Sequence, residues 1–301
     1  MNVRPELARH LRHRLQAFGE GFRQNLALIG PPGSGKTFQL QQLLAEPPAT
    51  PLLIYCPVYR EPCRSFLHRL LCAVLHAGSR AGGETAEAGA EADRQAPHSL
   101  ETLLRSAEPR LPRTTAAIRQ IEGSLTKGLS GEAFNRVLDI IPVLVEEQRR
   151  PVVLILDEFL FLEELGLVHA FHELGKRVMT WPSVLFILSS SAPYRARAIL
   201  RERLQLLFGQ FELLTLDVLD RETAAAWVHQ ELKALQGRHE MGEFLIRWLG
   251  PSPWYLSVVL KRLRELAALR RRHELTESLL LQAAWDLVGS PEGVLHQWCS
   301  S

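Results

Sequence analysis

The stretch NLALIGPPGSGKT, residues 25–37, decides the fold. Asn25–Gly30 is a short apolar run that stops at a glycine, as a buried strand does. Gly30–Thr37 fits G-x-x-x-x-G-K-[ST] at every fixed position. Residues 36–46 follow with Leu40, Leu43 and Leu44 at helical spacing, and Pro47-Pro48 closes the helix. Strand, glycine-rich loop and helix in this order form a phosphate cradle. The glycines let the backbone approach phosphate where a Cβ would block it. Successive N–H groups make an anion-binding nest, and the helix aims its positive end at the same oxygens. Gly30, Pro31, Pro32, Gly33, Ser34 and Gly35 are therefore expected around the phosphates. Lys36 is expected on the β- and γ-phosphates, and the Thr37 hydroxyl on Mg²⁺.

A second segment supplies the partner chemistry. Val152–Glu158 (VVLILDE) is a fully apolar strand ending in two carboxylates. A carboxylate at the carboxyl end of a parallel strand faces the crevice where α/β sheets take ligands. Asp157 is expected to hold Mg²⁺ directly or through water, and Glu158 to orient and deprotonate the attacking water. An acidic cap on the next helix is the plainer reading of the same pair. Ser189–Ser191 ends a further strand, 183–188 (SVLFIL). A hydroxyl there, Ser190 preferred, would sense the γ-phosphate or place water, although serines at strand ends are also ordinary turns.

The remaining chain sets these pieces in order. An amphipathic helix is expected over 5–18, a strand over Pro51–Val58 and a helix over 63–77. Residues 131–148 read as one helix kinked at Pro142. A further helix covers about 167–179, and 211–216 (FELLTL) is a fifth strand. Continuously apolar strands alternating with helices predict an α/β parallel sheet covered on both faces. Residues 78–97 are rich in Gly, Ala and Glu and poor in large apolar groups, which predicts a flexible surface insertion. Strands stop after Asp220, and helices are expected over 221–235, 239–249, 254–272 and 276–288. The division is an α/β domain over 1–218 and a helical lid domain over 219–301.

Bulk properties are compatible with this. The 301 residues are 46% hydrophobic and 23% charged, with net charge +2, so neither polyanion binding nor its absence is dictated. Cys56, Cys63, Cys72 and Cys299 make no CxxC pair, which fits a reduced, cytoplasmic protein with structural thiols. MNVRPELARHLRHRL lacks an apolar h-region, and no run of about 18 apolar residues occurs, so no membrane partner is expected.

The order of segments resembles the AAA+/STAND group of P-loop NTPases, and within it the archaeal-type ATPases related to origin-recognition initiators. The resemblance covers about residues 5–290. It rests on GPPGSGKT, on EAFNRVLDIIPVLVEEQRRPVVLILDEF leading a helix into the acidic strand, and on VLFILSSS followed by LFGQFELLTLDVLDRETAAAWV. It rests also on GPSPWYL, Gly250–Leu256, similar to the Gly-x-Pro motif of STAND lids. The resemblance implies an ASCE-type sheet with a catalytic glutamate, ATP and Mg²⁺ as cofactors, and Pro253 packed near the nucleotide. Relatives often carry a GRF-like triplet where this chain has Gly209-Gln210-Phe211, which puts neighbour-assisted hydrolysis in doubt. Arg195, Arg197, Arg201 and Arg203 lie nearby and read first as a solvated helix face. Trp254 and Tyr255 stand where typical AAA+ proteins carry a sensor arginine, which favours the STAND-like reading.

Two functional readings follow. The first is a Mg²⁺-dependent ATPase, slow or partner-stimulated, acting as a conformational switch with a protein partner or as a homo-oligomer. The second is a DNA-associated AAA+ protein of initiator or transposition-regulator type that oligomerises on DNA. Arg9, Arg12, His13 and Arg14 form one basic cluster, and Lys261, Arg262, Arg264, Arg270, Arg271 and Arg272 another. Glu265 interrupts the second, and plain solvation is the competing explanation of both. An ATP-binding scaffold that scarcely hydrolyses is a third reading, opposed by the acidic pair. His10 and His13 lack a third ligand and read as surface residues, while the tryptophans concentrated in the helical part read as core. No NKxD guanine motif occurs, which favours ATP over GTP.

Overall fold

The computed structural model describes residues 4–79, 100–125, 130–167, 169–202, 210–269 and 275–289. The sheet has five parallel strands: β1 (Asn25–Ile29), β2 (Leu52–Pro57), β3 (Val152–Asp157), β4 (Val184–Ser190) and β5 (Phe211–Thr215). Their order is β2-β3-β4-β1-β5. Every residue of β1, β3 and β4 is buried, whereas β2 alternates and β5 is mostly half-exposed. That difference follows from position, because the three continuously apolar strands are central and the other two are the edges. The register pairs Leu28 with Ser189, Ile29 with Ser190 and Leu156 with Leu188. The carboxyl ends of β1, β4 and β3 therefore finish side by side.

Two compact units are present. Of the described residues, one comprises those within Arg4–Gly30 and Lys36–Thr215; the other joins Pro31–Gly35 to those from Leu216 to Gly289. In the first, α1 (Pro5–Gly19), α2 (Lys36–Ala45), α3 (Cys63–Ser79), α4 (Leu100–Ala107), α5 (Pro112–Leu125), α6 (Ser130–Leu138), α7 (Ile140–Gln148), α8 (Ala170–Thr180) and α9 (Pro193–Glu202) accompany the sheet. Its core is centred on residues such as Phe66, Phe134, Phe159 and Phe186, all fully buried. Each such side chain contributes about 1.5–3 kcal/mol on burial. Helices α4 and α5 lie outside the segments expected from sequence. Leu100, Leu104 and Ala107 form the buried stripe of α4. Pro112 opens α5, and the Glu147 carboxylate accepts from the backbone N–H groups of Arg113 and Thr114 at 2.6 and 2.9 Å.

Two expectations are corrected here. The helix over 131–148 is two helices that break at Asp139, three residues before Pro142. A proline ring collides with the carbonyl four residues earlier, so the break falls near Leu138 and not at the ring itself. The buried Arg177 holds the corner, donating through Nη2 to Asp139 Oδ1 at 2.8 Å and to the Asn135 carbonyl at 3.2 Å. Likewise Gly78 and Ser79 belong to α3 and not to the insertion. A Cβ on Gly78 would stand 2.7 Å from both Leu111 and Leu144, so the helix is packed to its end. Residues 80–97 of the expected insertion lie outside the described residues.

The second unit holds α10 (Arg221–Lys233), α11 (His239–Leu249), α12 (Pro253–Leu269) and α13 (Glu277–Ala284), with a π-helical turn at Trp285–Gly289. Asp220 caps α10 by accepting from Thr223 N at 2.7 Å, and Thr276 accepts from Leu279 N at the start of α13. Val228, Leu232, Leu245, Leu256, Leu260, Leu263 and Leu279 fill its core. Trp227 is buried there, but Trp248 is 38% exposed and Trp285 is 69% exposed. Helical spacing alone thus misplaces both, because it locates a face and not what covers that face. Trp298 lies outside the described residues.

Candidate active site

The loop after β1 has the backbone its sequence demands. Gly33 and Gly35 have φ of +74° and +95°, which side-chain-bearing residues rarely adopt. Within the second unit, Gly33 also meets the chain before α12 closely: a Cβ there would lie 3.0 Å from Ser252 Oγ and 3.3 Å from Trp254 Cβ. The Gly33 carbonyl accepts from Trp254 N at 3.3 Å. Pro253, the first residue of α12, stands beside Gly35, whose added Cβ would be 4.0 Å from Pro253 Cβ. Ser34 N donates to the Pro31 carbonyl, turning the loop after Pro31-Pro32.

Lys36 opens α2 and is only 4% exposed. Its ammonium donates to the Gly30 carbonyl at 2.8 Å. Burial lowers its pKa, and the Glu158 and Asp157 carboxylates oppose that effect. Gly30 N in turn donates to the Ser190 carbonyl, tying the start of the loop to β4.

Asp157 ends β3 and is 3% exposed, so its charge requires partners. Thr37 Oγ1 and the Tyr55 hydroxyl each donate to Oδ2 at 2.8 Å, and the Ser189 hydroxyl donates to Oδ1. Burial first, then the Asp157 charge and hydrogen bond, push the Tyr55 phenol far above its usual range. Glu158 follows in the left-handed region, φ 59° and ψ 46°. For a residue with a Cβ this backbone costs about 1–2 kcal/mol, a strain that collects at functional positions. It turns the side chain to Ser191, whose N–H donates to Oε2 at 2.8 Å and whose hydroxyl donates to Oε1.

The structure thus gathers Lys36, Thr37, Asp157 and Glu158 in the first unit. Ser190, the member preferred from sequence, is not the serine that meets either carboxylate. Ser190 is fully buried and accepts from Ala192 N at 3.1 Å, within its own turn. Ser189 and Ser191 are the hydroxyls on the carboxylates. Tyr55 is a further group at Asp157, and no local motif marks it. A cavity of about 580 Å³ adjoins the pair, lined among others by Thr37, Tyr55, Tyr59, Arg69, Asp157 and Glu158. Arg69 lies over the Tyr59 ring at 4.6 Å and pairs with Glu61.

An oxygen-only donor set suits a hard cation, and Thr37 Oγ1 and Asp157 Oδ2 converge at hydrogen-bond distance. These residues fit Mg²⁺. The hydrogen-bond partners of the Asp157 carboxylate among the described residues are oxygens of Thr37, Tyr55 and Ser189 and no sulfur or imidazole.

Residues 3–187, more than half of the chain, match the family described as "AAA ATPase domain". The chain belongs to that family. A solved structure of the Aeropyrum pernix ORC2 protein in its ADP form superposes on this AAA ATPase domain with a TM-score of 0.55 at 16% identity. The match covers 94% of this chain and 68% of that one. A Walker-type ATPase of Pyrococcus abyssi gives a TM-score of 0.56 at 16% identity, covering 99% and 75%. The A. pernix ORC1 protein in complex with DNA gives 0.53 at 16%, covering 93% and 64%. At this identity the likeness establishes a shared fold. No curated protein sequence matches the chain.

Several basic groups among the described residues are paired. Arg9 pairs with Glu6, Arg12 with Glu46, and Arg14 with Glu212, which His10 also contacts at 2.8 Å. Arg262 pairs with Asp286 and Glu265, and Arg264 with Glu231. Arg195 and Arg201 pair with Glu163 and Glu202, and Arg197 donates to Thr215. Arg203, Gly209, Arg270, Arg271 and Arg272 lie outside the described residues. Burial raises the Cys63 thiol, the opposite of what a nucleophile needs. No described helix is long and apolar enough to cross a membrane.

Proposed function

We propose that the chain binds Mg·ATP at Gly30–Thr37 and hydrolyses it slowly, using the bound nucleotide as a conformational switch. The observation that carries this reading is the convergence of Lys36, Thr37, Asp157 and Glu158 at the carboxyl ends of adjacent parallel strands. The loop N–H groups receive phosphate oxygens, and Lys36 exchanges the Gly30 carbonyl for one of them. Thr37 and Asp157 would hold Mg²⁺, which when bound would supply positive charge against the phosphates. Glu158, held by Ser191, orients water and takes its proton. The stretch Ser252–Trp254 packs on Gly33, so a change in the loop on nucleotide binding is passed to the start of α12. We take 219–301 as a lid domain on this basis, with Pro253 beside Gly35 as its contact to the loop.

The experiment is Mg²⁺-dependent ATP hydrolysis with and without duplex DNA, alongside Glu158→Gln and ATP binding by Lys36→Ala. The reading requires hydrolysis that Glu158→Gln abolishes and binding that Lys36→Ala weakens. Wild-type ATP affinity in Lys36→Ala sinks the site assignment. One observation keeps the DNA-associated alternative in view: the A. pernix ORC1 protein of like fold is described in complex with DNA. Strong stimulation by DNA would put that alternative first. A slow rate that DNA does not change would point to a protein partner or a homo-oligomer.

A further inference from the structure

The helical unit carries a second cluster of ligating groups. His229 on α10 and His239 and Glu243 on α11 each bring one ligand atom to within 4.8 Å of the others. The two imidazoles have centroids 4.0 Å apart and planes tilted by 42°. Four residues separate His239 from Glu243, one helical turn, so both leave the same face of α11.

Three details of the surroundings suit a ligand and are poorly explained by packing. His229 Nε2 is shut off from solvent and has no hydrogen-bond partner among the described residues. Leaving such a nitrogen unmatched is costly, and a lone pair aimed at a cation relieves it. Gly242 makes the room: a Cβ there would lie 2.5 Å from His229 Cδ2 and 2.7 Å from Nε2. Glu243 Oε2 accepts from Arg221 Nη2 at 3.3 Å, which fixes the carboxylate beside the two imidazoles. A plain surface pair of histidines requires none of these.

We propose that His229, His239 and Glu243 bind a zinc-class divalent cation that clamps α10 to α11. Imidazole suits zinc and its neighbours, whereas magnesium and calcium prefer oxygen. Two histidines and one carboxylate are a familiar zinc set that leaves a fourth position for water or a partner's side chain. The site lies wholly within the second unit and does not depend on the ATPase reading.

The test is calorimetric titration of the chelator-stripped full chain with Zn²⁺ alone. Uptake of a single ion with a raised melting temperature is expected. His239→Ala should weaken binding by roughly 100-fold. His239→Cys keeps a zinc ligand, so it should bind, and with Co²⁺ it should show a thiolate-to-metal charge-transfer band that wild type lacks. That band places the metal at residue 239 even if His239→Ala folds poorly. Asp157→Asn should take up Zn²⁺ like wild type, separating this site from the carboxylates of β3. No stoichiometric uptake, equal affinity in His239→Ala, or no such band in His239→Cys would overturn the proposal.

Discussion

Ser191 engages both carboxylate oxygens of Glu158, its backbone N–H on Oε2 at 2.8 Å and its hydroxyl on Oε1. Glu158 is thereby fixed although its backbone is in the left-handed region. Ser191→Ala removes the hydroxyl contact and keeps the N–H. The carboxylate then swings about one remaining bond, and water is aligned less often. We expect kcat to fall about tenfold, a fraction of what a general base supplies, with ATP affinity little changed. Stopped-flow hydrolysis with nucleotide-binding measurements separates the two. An unchanged kcat would show that Ser191 only closes the turn after β4.

Lys36 is charged, 4% exposed and donates to the Gly30 carbonyl. Burial is the main influence on it and lowers its pKa from 10.5, so the charged form is held at a cost. Methionine has nearly the same length without the charge. Lys36→Met should therefore leave the apo protein within about 1 kcal/mol of wild type by urea unfolding, while ATP affinity falls at least tenfold. A large loss of stability would mean that the ammonium is held chiefly by Glu158 and Asp157.

Tyr55 gives Asp157 Oδ2 one of its two hydroxyl partners. Tyr55→Phe should cost about 1.5–3 kcal/mol, the usual worth of a hydrogen bond to a charged group. The pH dependence has a definite sign. The folded-state phenol is raised above 10.0, so the folded chain keeps a proton that the unfolded chain gives up. This contribution is whole below pH 10 and is lost as pH rises further. Wild type should thus lose more stability than Tyr55→Phe between pH 9 and 11, by denaturant midpoints. Parallel curves would sink the assignment.

The parts of the site that the sequence shows are those required by local backbone. Gly33 and Gly35 occupy positive φ, and Asp157-Glu158 end an apolar strand. Contacts across strands are a different matter. Side chains alternate along a strand, so Ser189 and Ser190 take opposite faces, and Ser191 follows just past the strand end. Which face meets Asp157 depends on the pairing of Leu156 with Leu188, and a slip by one residue would exchange them. No local pattern fixes that pairing. Tyr55 is hidden for the same reason, since it reaches Asp157 only because β2 lies beside β3. The helix breaks at Asp139 and not at Pro142, because the proline ring collides with the carbonyl four residues earlier.

Gly33 and Gly35 offer a comparison that isolates the contact with α12. Both have positive φ, so alanine at either costs about 1–2 kcal/mol in backbone strain. At Gly35 the nearest atom to an added methyl is Pro253 Cβ at 4.0 Å, which is open enough to add nothing. At Gly33 the methyl would press on Ser252 Oγ at 3.0 Å and Trp254 Cβ at 3.3 Å, and Trp254 N would be pushed from the Gly33 carbonyl. Gly33→Ala should therefore be the more destabilising, by about 1 kcal/mol beyond Gly35→Ala in thermal melts of the apo chain. Trp254 reports the difference directly, because its fluorescence should change in Gly33→Ala and not in Gly35→Ala. Ser252→Gly removes the hydroxyl that the new methyl meets first, so it should restore part of the loss in Gly33→Ala and none in Gly35→Ala. Equal losses at the two glycines, untouched by Ser252→Gly, would mean that the loop and the start of α12 are not in contact in solution.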